Sequence, residues 1–391
     1  MMATDDKVYR ALQKHLDRQP VGFPKTLSGA DIKVLKHIFT PGEAQVATHL
    51  DYRFDSFDVI RERVALSGHL SENLKEVLDR MAEKGAIGCR RREGVDFYCN
   101  VPLVVGMYEG FNKYLSPEFL ADFNKYTASP AFGISFLGTA IPQMRTIPVA
   151  ESIQPEHQVS SFDEVAALLE ASPGPFAVLE CICRKKKAME GEVCRVTDRK
   201  DTCMAAGDSS AAVLRHGLGR ELSKQEALDL LRQNTREGLV LQPSNTREIE
   251  FICSCCGCCC GMINLQKQLP RPLDFWAANY FAVMDMDKCT RCGLCAKKCQ
   301  VDAITVTWKD KKIMDVSVNT KKCIGCGNCV VACKFDAISL TKKEKEAVPP
   351  KDFDELADVL MTHKKGMWDK VRMVTRMILG LPQGRDSYPD K

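Results

Sequence analysis

The chain has 391 residues, a formal net charge of +4, 45% hydrophobic and 27% charged residues. This is ordinary globular composition, and so weak a positive balance gives no overall case for nucleic-acid binding. No apolar run reaches bilayer-spanning length, and the start MMATDDKVYRALQKHL has early acids and no apolar h-region. A cytoplasmic protein without a transmembrane segment is expected. The anomaly is cysteine. There are twenty, and eighteen of them fall between residues 181 and 333. A reducing compartment disfavours disulfides, so clustered thiols on this scale point to metal.

Taken in chain order, residues 1–100 form the first module, and residues 30–100 predict short helices followed by a hairpin. Ile32, Leu35 and Ile38 share a helical face. Thr40-Pro41-Gly42-Glu43 has the form of a capping box with proline at the first helical position. SFDVIRERVAL, from Ser56, suggests another helix, and Leu74, Val77, Leu78 and Met81 recur at helical spacing. AIGCRRREGVDFYCN then predicts two strands around Glu93-Gly94. The order resembles a winged helix, a fold of many bacterial DNA-binding regulators. The candidate recognition helix, 72–84, sets Glu72, Glu76, Asp79 and Glu83 against Lys75, Arg80 and Lys84. Its net charge of −1 suits protein docking better than DNA, since a helix in a groove must neutralise phosphates. Arg90, Arg91 and Arg92, in the wing, are the one strong basic run of this module. Cys89 and Cys99 are expected to be structural thiols, with a redox pair as the alternative if the loop has three residues.

Residues 101–145 are mixed and aromatic and predict a helical linker. No phosphate-binding glycine pattern occurs anywhere. His157, His216 and His363 are isolated, and none is expected to be a ligand.

Residues 146–280 form a cysteine-rich segment. FAVLECIC, from Phe176, predicts a buried strand ending in Cys181 and Cys183, which would then face the same way about 6.6 Å apart. Cys194 and Cys203 come next, in a predicted loop, so C-x-C-x10-C-x8-C could close one iron–sulfur cluster. Lys185, Lys186 and Lys187 lie alongside and would favour thiolate. Zinc and the absence of metal remain alternatives. SKQEALDLLRQNTREG, from Ser223, predicts a surface helix and GLVLQP, from Gly238, a strand. EIEFICSC begins as a strand, and Gly257 and Gly261 break its regularity on the C-terminal side. Cys253, Cys255, Cys256, Cys258, Cys259 and Cys260 cannot all grip one cubane, because adjacent residues of an extended chain point to opposite faces. Four might serve one cluster, or some could complete the site begun at Cys181. The CCG at Cys255–Gly257 resembles the cysteine motif of heterodisulfide-reductase-type subunits.

Residues 281–341 hold an internal repeat with a period of 34 residues: CTRCGLCAKKCQVDAI from Cys289 and CIGCGNCVVACKFDAI from Cys323. Each has the spacing C-x2-C-x2-C-x3-C. Cysteine at every third position can wrap three corners of a cubane, and Gly293 and Gly327 allow the tight turn. The tandem resembles bacterial ferredoxins with two [4Fe–4S] clusters. That resemblance implies crossed ligation: Cys289, Cys292, Cys295 and Cys333 for one cluster, Cys323, Cys326, Cys329 and Cys299 for the other. The fourth cysteine is expected to begin a short helix, and AITV and AISL to form strands closing each half. Gln300 and Lys334 stand where the family usually has proline.

Residues 342–391 predict a basic amphipathic helix, with Met367, Val371, Val374 and Ile378 as its apolar stripe. It could pack on the chain itself, dock a partner or lie on a membrane surface. Most of the chain resembles multi-cluster ferredoxin-type proteins of anaerobic bacteria, through the helical module, ECICR, CSCCGCCCG and the two repeats. The expected fold is α+β and multidomain, and the expected function is electron transfer by two ferredoxin-type clusters and at least one more. Redox partner proteins are implied, the chain acting as a relay subunit of a larger oxidoreductase. The alternatives are a redox-sensing winged-helix regulator and a reductase using an unusual cluster at 253–260.

Overall fold

The computed structural model describes residues 2–68, 73–153 and 160–383, so Glu72 and His157 lie outside it. Helices and strands are mixed, in the α+β manner. The chain divides into two compact units, Met1–Ala140 with Arg215–Leu218 and Ala357–Val371, and Ile141–Leu214 with Gly219–Leu356 and Arg372–Lys391.

The first unit opens with helices α1 (Met2–Arg18), α2 (Ala30–Ile38) and α3 (Pro41–Ala47), strand β1 (Asp55–Ser56), and helices α4 (Phe57–Leu66) and α5 (Leu74–Glu83). The capping box forms: the Thr40 side chain accepts from the Glu43 backbone N–H, and the Glu43 carboxylate accepts from that of Thr40. Strands β2 (Gly88–Arg92) and β3 (Val95–Cys99) turn through Glu93 and Gly94, both at positive φ, and the sheet order is β1-β3-β2. With only two residues in the turn, Cys99 pairs with Gly88 and Cys89 with Tyr98. Cys89 and Cys99 therefore point to opposite faces and make no redox pair. Basic side chains of α5 are engaged at home. Lys75 meets Asp79 and Asp96, and Arg80 and Lys84 meet the buried Glu43. Helices α6 (Pro117–Thr127) and α7 (Pro130–Leu137) stack Phe123 on Tyr108 and Tyr126 on Phe23, with Phe119 tilted against Phe111 and Phe132 edge-on to Tyr126.

The second unit is built on a five-stranded antiparallel sheet. Its strands are β4 (Phe176–Glu180), β5 (Asp201–Ala206), β6 (Gly219–Leu222), β7 (Val240–Pro243) and β8 (Phe251–Cys255), in the order β6-β4-β5-β8-β7. Between them run α8 (Ile182–Met189) and α9 (Lys224–Arg236), and α10 (Gly261–Gln268) comes after β8. One sheet face packs Val178, Met204, Leu241 and Ile252 against Leu168, Leu169, Ala227 and Leu231. Alternation then sends Cys203, Cys253 and Cys255 to the opposite face. Beyond α10 come β9 (Tyr280–Met284), α11 (Leu294–Lys298), β10 (Ile304–Lys309), β11 (Lys312–Val318), α12 (Asn328–Val331) and β12 (Ile338–Lys342). β10 pairs with β11 and β9 with β12, so AITV and AISL open strands. Each short helix contains the third cysteine of its repeat and ends before the fourth. Cys299 ends α11 rather than beginning a helix, because the positive-φ Gly293 starts that helix a turn early.

Helix α13 (Phe353–Thr362) is succeeded by α14 (Met367–Ile378). Met367, Val371 and Ile378 are exposed and Met373 is the buried residue of α14, so the expected stripe is not its packing face. No helix among the described residues is long and apolar enough to cross a membrane.

Candidate metal centres

The ten middle thiols fall into two groups, and the local chain path decides which belongs where. Strand β4 ends at Glu180, not at Cys183. Its register against β5 shifts at Glu180, and the basic run after Cys183 continues as helix, a state that Arg and Lys favour. Cys181 becomes the N-cap of α8 and Cys183 sits in its first turn. Cys203 stands on β5 rather than in a loop, next to Cys253 on β8.

Six thiols interact pairwise around a closed ring. Cys181 meets Cys183 and Cys203. Cys183 meets Cys260, and Cys260 meets Cys255. Cys253 joins Cys255 to Cys203. Two helix N-termini face this ring, those of α8 and α10, the latter capped by Cys260. Both turn partial positive charge toward thiolate. Thiol contacts from Cys183 and Cys203 hold Cys181 well below the usual thiol range, and the same contact pushes Cys183 up.

The other four, Cys194, Cys256, Cys258 and Cys259, have their Sγ atoms all within 4.8 Å of one another. Cys194 thus joins the 256–259 loop, not Cys181, Cys183 and Cys203. The run 253–260 divides three and three between the two groups. Burial acts to raise the Cys194 thiol, but N–H groups of Thr197 and Val196 bring it down to about 7. Burial pushes Cys256 up to about 12.

Arg184 is the cation that serves both groups. It is 6% exposed, donates to Thr202 Oγ1 and, at 2.8 Å, to the Ser254 carbonyl. Its charge lies close to Cys181 and Cys203 of the ring and to Cys256 and Cys194 of the tetrad. The neighbouring lysines do not play this part. Lys185 pairs with Glu180, Lys186 with Glu190 and Lys187 with Glu192. Sequence reasoning credits the lysines and misses Arg184. Each of those lysines is answered by a glutamate, whereas the Arg184 charge lies against the thiols.

In the repeat, Cys299 from the first loop lies beside Cys323, Cys326 and Cys329 of the second. Cys289 and Cys292 neighbour Cys295. Backbone N–H groups point at sulfur: Arg291 at Cys289 (3.4 Å), Ala303 at Cys299 (3.2 Å) and Ala282 at Cys323 (3.3 Å). Burial pushes Cys326 up to about 12 and raises Cys323 and Cys329 as well. Thiols buried to this degree become thiolates readily only when a metal takes the place of the proton. The donor set is all sulfur, which suits iron–sulfur clusters.

Gln300, in place of the family's proline, is buried, and its Oε1 accepts from the Gly257 N–H at 2.8 Å. It fastens the first repeat to the tetrad loop. A Cβ at Gly257 would come within 2.3 Å of the Gln300 carbonyl oxygen, so the contact also requires glycine there.

Residues 288–337 match the family model described as a 4Fe-4S dicluster domain. No curated protein and no solved structure matches the chain. The chain carries an iron–sulfur dicluster module, and its cysteine content fits a role in electron transfer.

Proposed function

We propose that this chain is an electron relay: two [4Fe–4S] clusters in the repeat, a third iron–sulfur centre on the six-thiol ring, and redox partner proteins at either end. The observation that carries the reading is the position of Cys299, a first-loop cysteine, among Cys323, Cys326 and Cys329. By the same crossing, Cys333 would complete the set Cys289, Cys292 and Cys295. Each cluster, when bound, supplies a one-electron couple.

The chain's own residues set the conditions. Cys292 is exposed, whereas Cys323 and Cys329 are buried. Cys323 and Cys329 are buried in one packed core with Cys255 and Cys260 of the ring, against which Cys289 and Cys295 of the first loop are only partly buried. That polarity suits a partner meeting the first loop, with the second loop and then the ring inward of it. N–H groups of Arg291, Ala303 and Ala282 stabilise thiolate charge and tune potential through hydrogen bonds to sulfur. Exposed Met367, Trp368, Val371 and Ile378 on α14 are a candidate docking face for a larger oxidoreductase. The regulator reading is weaker, because Lys75, Arg80 and Lys84 are already paired with acids.

Iron and acid-labile sulfide are to be measured per chain after anaerobic purification. About twelve iron atoms are expected from three four-iron centres. About eight would remove the third centre, and iron without sulfide would reject the relay.

A further inference from the structure

The four sulfurs of the tetrad are closely gathered. The Sγ separations are 3.7 Å for Cys194–Cys256, 3.7 Å for Cys194–Cys258, 3.5 Å for Cys256–Cys258 and 3.7 Å for Cys258–Cys259. Among the described residues it is the one group of three or more such ligands with all donor atoms within 4.8 Å. The repeat cysteines, which have cubane spacing, do not approach so closely, and neither do any three of the ring.

The separations distinguish two kinds of occupant. A single tetrahedral ion about 2.3 Å from each sulfur places the sulfurs about 3.8 Å apart. A cubane presents four irons, one to each thiolate, and spreads the ligand sulfurs to roughly 6 Å. The observed distances match the first and leave no room for the second. All four sulfurs are unpaired thiols, so no disulfide accounts for the approach.

We propose that Cys194, Cys256, Cys258 and Cys259 hold one zinc ion. Four thiolates around a divalent ion leave a charge of −2, and this chain answers it locally. Arg184 lies against Cys194 and Cys256, N–H groups of Val196 and Thr197 point at Cys194, and the N–H of Cys259 points at Cys256. Such contacts around thiolate ligands are what a stable tetrathiolate site needs. The ion closes a long loop, tying the segment after α8 to the turn between β8 and α10. It holds Leu239 and Val196 in the small apolar layer with these sulfurs. Because zinc is redox-inert, the site is a pin beside the ring and takes no electron. The proposal is independent of the relay reading, since it concerns four thiols that the relay does not use.

The test is metal analysis of the full chain purified anaerobically, with zinc K-edge absorption spectroscopy and a Cys258→Ser variant. We expect about one zinc per chain, four sulfur neighbours at about 2.3 Å, and loss of zinc to background in the variant with iron and sulfide unchanged. Wild-type protein with full iron but no stoichiometric zinc would overturn the proposal. So would oxygen or nitrogen in the zinc shell, a single iron with a mononuclear ferric thiolate spectrum, or loss of about four iron atoms in the variant. The wild-type spectrum decides even if Cys258→Ser fails to fold. Low iron with a normal zinc shell would fault the relay and leave this site standing.

Discussion

The two repeat loops have the same cysteine spacing and opposite surroundings. In the first, Cys292 is exposed and a Cβ on Gly293 would touch only the Ile313 side-chain tip, at 2.8 Å. In the second, Cys323, Ile324 and Cys329 are buried. There Asn328 Nδ2 donates to the Gly238 carbonyl at 2.8 Å, and the Val149 N–H donates to the Cys326 carbonyl. A Cβ on Gly327 would meet Ser152 Oγ at 2.1 Å. Ligand spacing thus sets what each loop can hold, while unrelated segments of the chain set how much water it sees. Since burial is one lever on reduction potential, two loops alike in motif would give any clusters they hold different potentials.

The sharpest way to break the comparison is to cross the loops by mutation. Cys299→Ser, in the first loop, is expected to empty the second cluster. Iron should fall by about four atoms per chain while the first cluster's signal survives. Loss confined to the first cluster would refute crossed ligation. Next comes the glycine pair. Gly327 (φ 81°) and Gly293 (φ 73°) both adopt a conformation that costs any other residue about 1–2 kcal/mol. Gly327→Ala adds the collision with Ser152, an overpacking cost of about 1–3 kcal/mol. Chemical unfolding should therefore find Gly327→Ala clearly the less stable, and equal losses would contradict the packing described. Gln300→Pro restores the common ferredoxin residue and removes the bond to Gly257. About 1–2 kcal/mol of stability should go, with the iron of the repeat retained. The smallest effect is expected at Cys89→Ser and Cys99→Ser, which should leave iron, sulfide and the redox titration unchanged.

How much was legible in the sequence depends on the range of the interactions. The capping box at Thr40, the two-residue turn at Glu93-Gly94 and the positive-φ Gly293 and Gly327 all depend on residues a few places apart, and each could be anticipated. The cysteine partners of the middle region could not. Whether Cys194 meets Cys203 or Cys256 depends on the strand order β4-β5-β8, a pairing across some fifty residues that no local spacing encodes. The strand expected through Cys183 failed because the helix preference of the following basic run overrode the apolar pattern before it. In the sequence Gln300 reads only as a missing proline, since its partner Gly257 is remote along the chain.

The central claim is that the repeat thiols carry interacting iron–sulfur stations. The most direct test is electron paramagnetic resonance of anaerobically prepared protein during stepwise reduction. The two repeat clusters should appear as successive signals at different potentials and broaden each other when both are reduced, an interaction lost in Cys299→Ser. Protein that binds no sulfide and shows no reducible signal, its cysteines filled by zinc throughout, would contradict the claim.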